Sequence, residues 1–186
     1  MKTNEIIGKK IIDKNVKEVG KIAEMTFDKK TFKLTGIYAS TGNPISKKYH
    51  DIKPENIMAI GDYLQTSTLK EELIEASLDK IPKSDDSDIK SSEIIGKKVL
   101  DCNGNDSGKV SAVNIDIENQ EITSLTVSKA ATFSKATECE IKQDEINGFG
   151  DYILINKTLD FDVEEKDESE EEESDSEEEK VNIDIE

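Results

Sequence analysis

Residues 5–37 read EIIGKKIIDKNVKEVGKIAEMTFDKKTFKLTGI, and residues 93–125 read EIIGKKVLDCNGNDSGKVSAVNIDIENQEITSL. At an offset of 88 the two stretches align without a gap, with 12 of 33 positions identical, among them Glu-Ile-Ile-Gly-Lys-Lys, Gly20/Gly108 and Asp28/Asp116. Beyond one inserted residue the match resumes at an offset of 89, DIKPENIMAIGDYLQ (51–65) against EIKQDEINGFGDYIL (140–154). Self-similarity on this scale marks a duplicated structural unit. The boundaries it implies are a first unit at 1–66, a joining segment at 67–90, a second unit at 91–159 and a tail at 160–186.

Each unit reads as a run of short strands. In the first they are Lys9 to Asp13, Lys21 to Asp28, Phe32 to Ala39, Ile57 to Ile60 and Tyr63 to Gln65, with a loop between the third and fourth. Period-two alternation puts Ala23, Met25 and Phe27 on one face, and Ser111, Val113, Ile115 and Ile117 on the same face of the copy. The third strand breaks that period, which predicts a bulge near Gly36 and Ser124, the means by which a small sheet bends toward a barrel. Gly8, Gly20, Gly96 and Gly108 sit at strand ends, and Gly61-Asp62 and Gly150-Asp151 read as tight hairpin turns that use glycine's freedom at positive φ. The fold class expected is all-β, two tandem small β-barrels joined by a short helix and a linker.

The ordered series of strand, Gly-Lys, apolar pair, Asp, polar turn, Gly-Lys, apolar strand and Gly-Asp hairpin occurs twice and resembles the PRC-barrel family. That family is named for the H subunit of the photosynthetic reaction centre and is also found in a ribosome-maturation factor. The resemblance implies small all-β adapters with no catalytic residues and no cofactor. Tandem barrels of this kind are similar to archaeal proteins that act as dimeric scaffolds in cell division. It therefore implies a non-enzymatic scaffold with protein partners and a homodimer; the alternative it offers is an RNA- or ribosome-associated maturation factor.

Composition narrows the choice. With 5% aromatic residues and no Trp, the chain lacks the aromatic-rich basic strands that stack bases, so nucleic acid is an unlikely ligand. The net charge of -17 is concentrated in Asp160 to Glu186, which carry 16 acidic and 2 basic residues; without apolar surface that run is expected to be disordered. The first unit is basic (12 Lys, 8 acids) and the second acidic (7 Lys, 11 acids), so Lys9, Lys10, Lys29, Lys30, Lys33, Lys47 and Lys48 offer the tail a target. No apolar run is long enough to span a membrane and MKTNEIIGKKII has no signal-peptide core, which points to the cytoplasm. Cys102 and Cys139 form no metal-binding or disulfide pattern, and the sole histidine, His50, aligns with Cys139 and reads as a loop residue. No metal site is expected.

Two segments outside the repeat carry their own expectations. Thr68 to Lys80 has helical spacing with Thr68 as cap, and Lys83 to Ser92 reads as a hinge between independently folding barrels. The last six residues, VNIDIE (181–186), duplicate Val113 to Glu118. Val181, Ile183 and Ile185 could thus add a strand to an exposed sheet edge of a partner.

Overall fold

The computed structural model describes residues 1–43, 45–129, 137–159 and 161. After a one-turn helix α1 (Thr3–Ile6) come β1 (Lys10–Ile12), β2 (Glu18–Asp28), β3 (Leu34–Thr41), β4 (Lys48–Ile52), β5 (Ile57–Ile60) and β6 (Tyr63–Thr66). Helix α2 (Lys70–Glu75), strand β7 (Asp88–Lys90) and helix α3 (Ser91–Ile94) join this unit to β8 (Lys98–Leu100), β9 (Asp106–Asp116), β10 (Glu121–Lys129), β11 (Thr137–Lys142), β12 (Ile146–Phe149) and β13 (Ile153–Ile155). The strand orders are β4-β3-β2-β1-β6-β5 and β11-β10-β9-β8-β13-β12. The two sheets are one pattern written twice, antiparallel except for the β1/β6 and β8/β13 pairs.

The predicted bulges exist, one residue from where the sequence placed them. Thr35 and Thr123 are the extra residues, because Phe27 pairs with Leu34 but Thr26 with Gly36, and Ile115 with Ile122 but Asn114 with Ser124. A second matched pair of bulges lies at Ala23 and Ser111. These four interruptions let strands of 11 residues curl while keeping Met25, Phe27, Val113 and Ile115 buried. Strand β4, with sequence KYHDI, lies where the sequence suggests a loop, since its polar residues hide a buried His50 and Ile52.

The units are not independent. Buried side chains from both, Ile6, Met25 and Phe27 together with Ile94, Val113 and Leu125, belong to one contiguous core. Each unit lends its leading segment to the other: Lys90 pairs with Thr26 in β2, while Lys2 pairs with Asn114 in β9. Those are the same contact at an offset of 88. Lys83 to Ser92 is therefore no hinge, because its second half is strand β7 and the start of α3, held to β2 by a three-residue ladder.

The hairpins cross at the centre of this exchange. Leu34 N donates to Gln120 O (2.7 Å) and Ile122 N to Phe32 O (2.9 Å), a pair related by the internal repeat. Lys33 and Glu121, equivalent positions, face each other across the pseudo-twofold axis as an isolated bridge and a 2.6 Å ion pair. Phe32 (φ 60) and Gln120 (φ 53) both hold the left-handed conformation that non-glycine residues seldom adopt. Beside the axis the Phe32 ring packs edge-on to Phe149, with centroids 5.7 Å apart, and the Gln120 side chain donates to Pro54 O at 3.0 Å. The chain is an intramolecular dimer of its own two halves.

Candidate interaction surfaces

The predicted turn glycines fall into distinct roles. Gly8 and Gly96 have φ of 89° and 82° after the short helices. Gly20 and Gly108 lie within β2 and β9, where an added Cβ would run into the Ser40 and Ser128 carbonyl oxygens; Gly108 also has φ 101°. At Gly20 the constraint is thus close strand approach rather than a positive φ. The Gly61-Asp62 and Gly150-Asp151 hairpins form, with Gly61 N donating to Tyr63 O (3.0 Å) and Gly150 N to Tyr152 O (2.9 Å). Neither of those glycines uses positive φ, contrary to the expectation from sequence: a Cβ at Gly61 would meet nothing, and one at Gly150 only the Tyr152 carbonyl oxygen at an ordinary 3.8 Å. Lys9 and Lys97 clamp the same turns by donating to Gly61 O and Gly150 O.

Carboxylates tie the remaining turns. Asp28 accepts from the main chain and hydroxyl of Thr31 and from Lys30 N, and these bonds hold its carboxyl below the usual aspartate range. Asp116, its counterpart, is held low by the main-chain and side-chain amides of Asn119. Asp101 is lowered chiefly by Asn105 N. For Asp13 burial pushes the other way, but is outweighed by Lys17, Lys70 and Asn15 main-chain donors. Through Lys70, Asp13 also anchors the start of α2. These carboxylates serve the fold.

Two expectations for the joining segment change. Helix α2 is shorter than predicted and begins after Leu69, whose N–H donates to Glu72 Oε2 at 3.1 Å, so Thr68 is not the cap. It ends early because the chain turns back for Leu78 to exchange two 2.8 Å main-chain bonds with Tyr49 on the outer edge of β4. His50 is a buried β4 residue rather than a loop residue. Its Nδ1 donates to Leu73 O (2.7 Å) and its Nε2 meets the Thr41 hydroxyl (2.9 Å), fastening α2 over the open end of the first sheet. Cys139 is in β11 and Cys102 in an exposed turn, both unpaired.

Charge on the first unit is more dispersed than the sequence suggested. Lys9, Lys10, Lys29, Lys33 and Lys48 are each engaged by a neighbouring oxygen, at Gly61, Glu18, Asp85, Glu121 and Asp79. Lys47 instead joins Lys21 and Lys70 around a 660 Å³ groove between β2, β3 and α2, with Glu18 on its rim. Large apolar side chains remain exposed on the outer hairpins, Met58 and Tyr63 on one unit and Tyr152 and Leu154 on the other. Tyr63 and Tyr152 are equivalent residues. Among the described residues no three His, Cys, Asp or Glu converge as a metal site, and no helix is long and apolar enough to cross a membrane. Val181, Ile183 and Ile185 lie outside the described residues, as does the tail expectation.

The doubled sheet with its shared bulges and Gly-Lys clamps has a family counterpart: the PRC-barrel domain model matches residues 1–73 and again 86–161. The chain belongs to the PRC-barrel family. A comparison with curated proteins gives no match. The two matched segments are the two halves of the exchanged pseudo-dimer, and each begins with the residues it lends to its neighbour.

Proposed function

We propose that this tandem PRC-barrel protein is a non-enzymatic adapter in the cytoplasm that holds protein partners, as in an archaeal cell-division scaffold. The observation that carries this is the pairing of the two units through one core, which leaves the equivalent hairpins on the outside, each with an exposed tyrosine, Tyr63 and Tyr152. An exposed tyrosine repeated by the duplication suits bivalent binding, because two weak contacts on one frame multiply their effective concentration. The two units already bury apolar side chains in one core within a single chain. Self-association uses these hairpins. Sedimentation equilibrium at micromolar concentration tests that part, and a monomer throughout removes it.

The Lys21, Lys47 and Lys70 groove favours an anionic ligand and is the one observation for the RNA- or ribosome-associated reading. It has no aromatic lining on which a base could stack. Affinity purification from the native cell separates the two. Co-purification of division proteins, lost on Tyr63→Ser with Tyr152→Ser, supports the adapter; ribosomal particles retained by that variant and lost on Lys47→Glu overturn it.

A further inference from the structure

The two sheets repeat each other, so a difference between them is informative. On the first, the outer edge of β4 is covered: Tyr49 N and O are both bonded to Leu78. On the second, the equivalent strand is β11 and the equivalent residue is Glu138, since Ser128 pairs with Glu138 as Ser40 pairs with Tyr49. Glu138 and Glu140 thus aim main-chain N–H and C=O groups away from β10. Among the described residues no strand pairs with that side of β11. In the sequence, Leu159 and Val163 match Leu69 and Leu73 at an offset of 90, and the position matching Leu78 is Glu168, within the acidic run.

We infer that the outer edge of β11 is a strand-addition site for a partner segment in which apolar residues alternate with lysine or arginine. The internal precedent at Tyr49 shows that this edge geometry accepts a main-chain partner. The chemistry of the occupant follows from the face beside it. Glu138 accepts from the Ser111 hydroxyl (3.3 Å) and Glu140 from the Ser124 hydroxyl, so both carboxylates are held on the outer face of the sheet. A 460 Å³ groove continues from there, lined by Thr123, Ser124, Glu140, Lys142, Gln143 and Asp144. Cross-strand neighbours of Glu138 and Glu140 gain from positive charge and lose from negative charge. That disfavours VNIDIE, whose alternate residues Asn182, Asp184 and Glu186 would lie on the acidic face. Unlike the hairpin surface, this site reads main chain and charge together.

The inference rests on the adapter reading, yet its test is separate. The full chain, labelled with nitrogen-15, is titrated with two blocked hexapeptides, Ile-Lys-Val-Lys-Ile-Lys and Val-Asn-Ile-Asp-Ile-Glu. The lysine peptide is expected to shift the amides of Thr137 to Lys142, with affinity falling several-fold as salt rises from about 0.05 to 0.5 M. Glu138→Pro removes an outward N–H without touching the β10 ladder and should abolish binding. Glu138→Lys with Glu140→Lys keeps the backbone and should weaken binding about tenfold. No shift in β11, equal binding of the acidic peptide, or faster β11 amide exchange after deleting residues 162–186 would each overturn the assignment. If native partners still co-purify with Glu138→Pro, the adapter stands and only the β11 site falls.

Discussion

Glu24→Ala tests the exchange between the units most directly, because the protein contains its own control. Glu24 is a β2 residue, 6% exposed, whose Oε1 accepts from Ser91 Oγ (2.6 Å), Met25 N (3.0 Å) and Ser92 N (3.3 Å). It thereby pins α3, which leads into the second unit, to the first unit's sheet. At the equivalent place β9 carries Ala112, and the hydroxyl of Thr3, the counterpart of Ser91, is buried with no hydrogen-bond partner among the described residues. Removing Glu24 makes the first junction resemble the second. Hydrogen bonds to a charged acceptor contribute about 1.5–3 kcal/mol each, and an orphaned buried hydroxyl costs about 1–3 kcal/mol. Relief of the carboxylate's desolvation offsets several kcal/mol of that sum. A net loss of about 2 kcal/mol is expected, or a Tm about 4–8 °C lower for a chain of this size. Urea denaturation followed by circular dichroism measures it, with Ser91→Ala and the double variant completing a cycle whose coupling should be about 1–2 kcal/mol. All variants should unfold in one transition, as a shared core requires. A change below about 0.5 kcal/mol, or two separable transitions in the parent, would refute the reasoning.

Gly20→Ala and Gly108→Ala should each lower that single transition by roughly 2–4 kcal/mol, since a Cβ meets the carbonyl of Ser40 or Ser128, with Gly108 the worse for its φ of 101°; independent loss of one unit alone would count against the shared core. Lys33→Glu or Glu121→Lys puts like charges on the pseudo-twofold axis and should cost about 0.5–1 kcal/mol, the pair being part-exposed; the double swap should recover most of it, in a cycle read at low and high salt. The pH dependence has a defined sign. Asp28 and Asp116 have carboxyls lowered by native hydrogen bonds, so their contribution is complete above the ordinary aspartate range, about pH 4, and is lost as pH falls below it. Asp28→Asn with Asp116→Asn should shrink the fall in urea midpoint between pH 7 and about pH 3; an unchanged acid limb would remove these two groups as its source.

The repeat made much of this legible. An offset of 88 is visible in Glu-Ile-Ile-Gly-Lys-Lys alone, and the period breaks at Leu34 to Ile37 and Ile122 to Leu125 located the bulges to within a residue because burial on a pleated strand alternates strictly. Strand β4 escaped because a buried histidine satisfied by Leu73 O and Thr41 looks, in sequence, like any polar loop residue. The exchange escaped for a deeper reason. Ile6 and Ile94 follow the same local pattern whichever barrel their segments dock on, and a repeated pattern around equivalent strands does not specify whether Lys2 pairs within its own unit or across. Connectivity and core geometry decide that. So too with the axis: Lys33 and Glu121 are 88 residues apart and appear in the sequence as two unrelated surface charges, and only the crossing of the two hairpins brings them together as a pair.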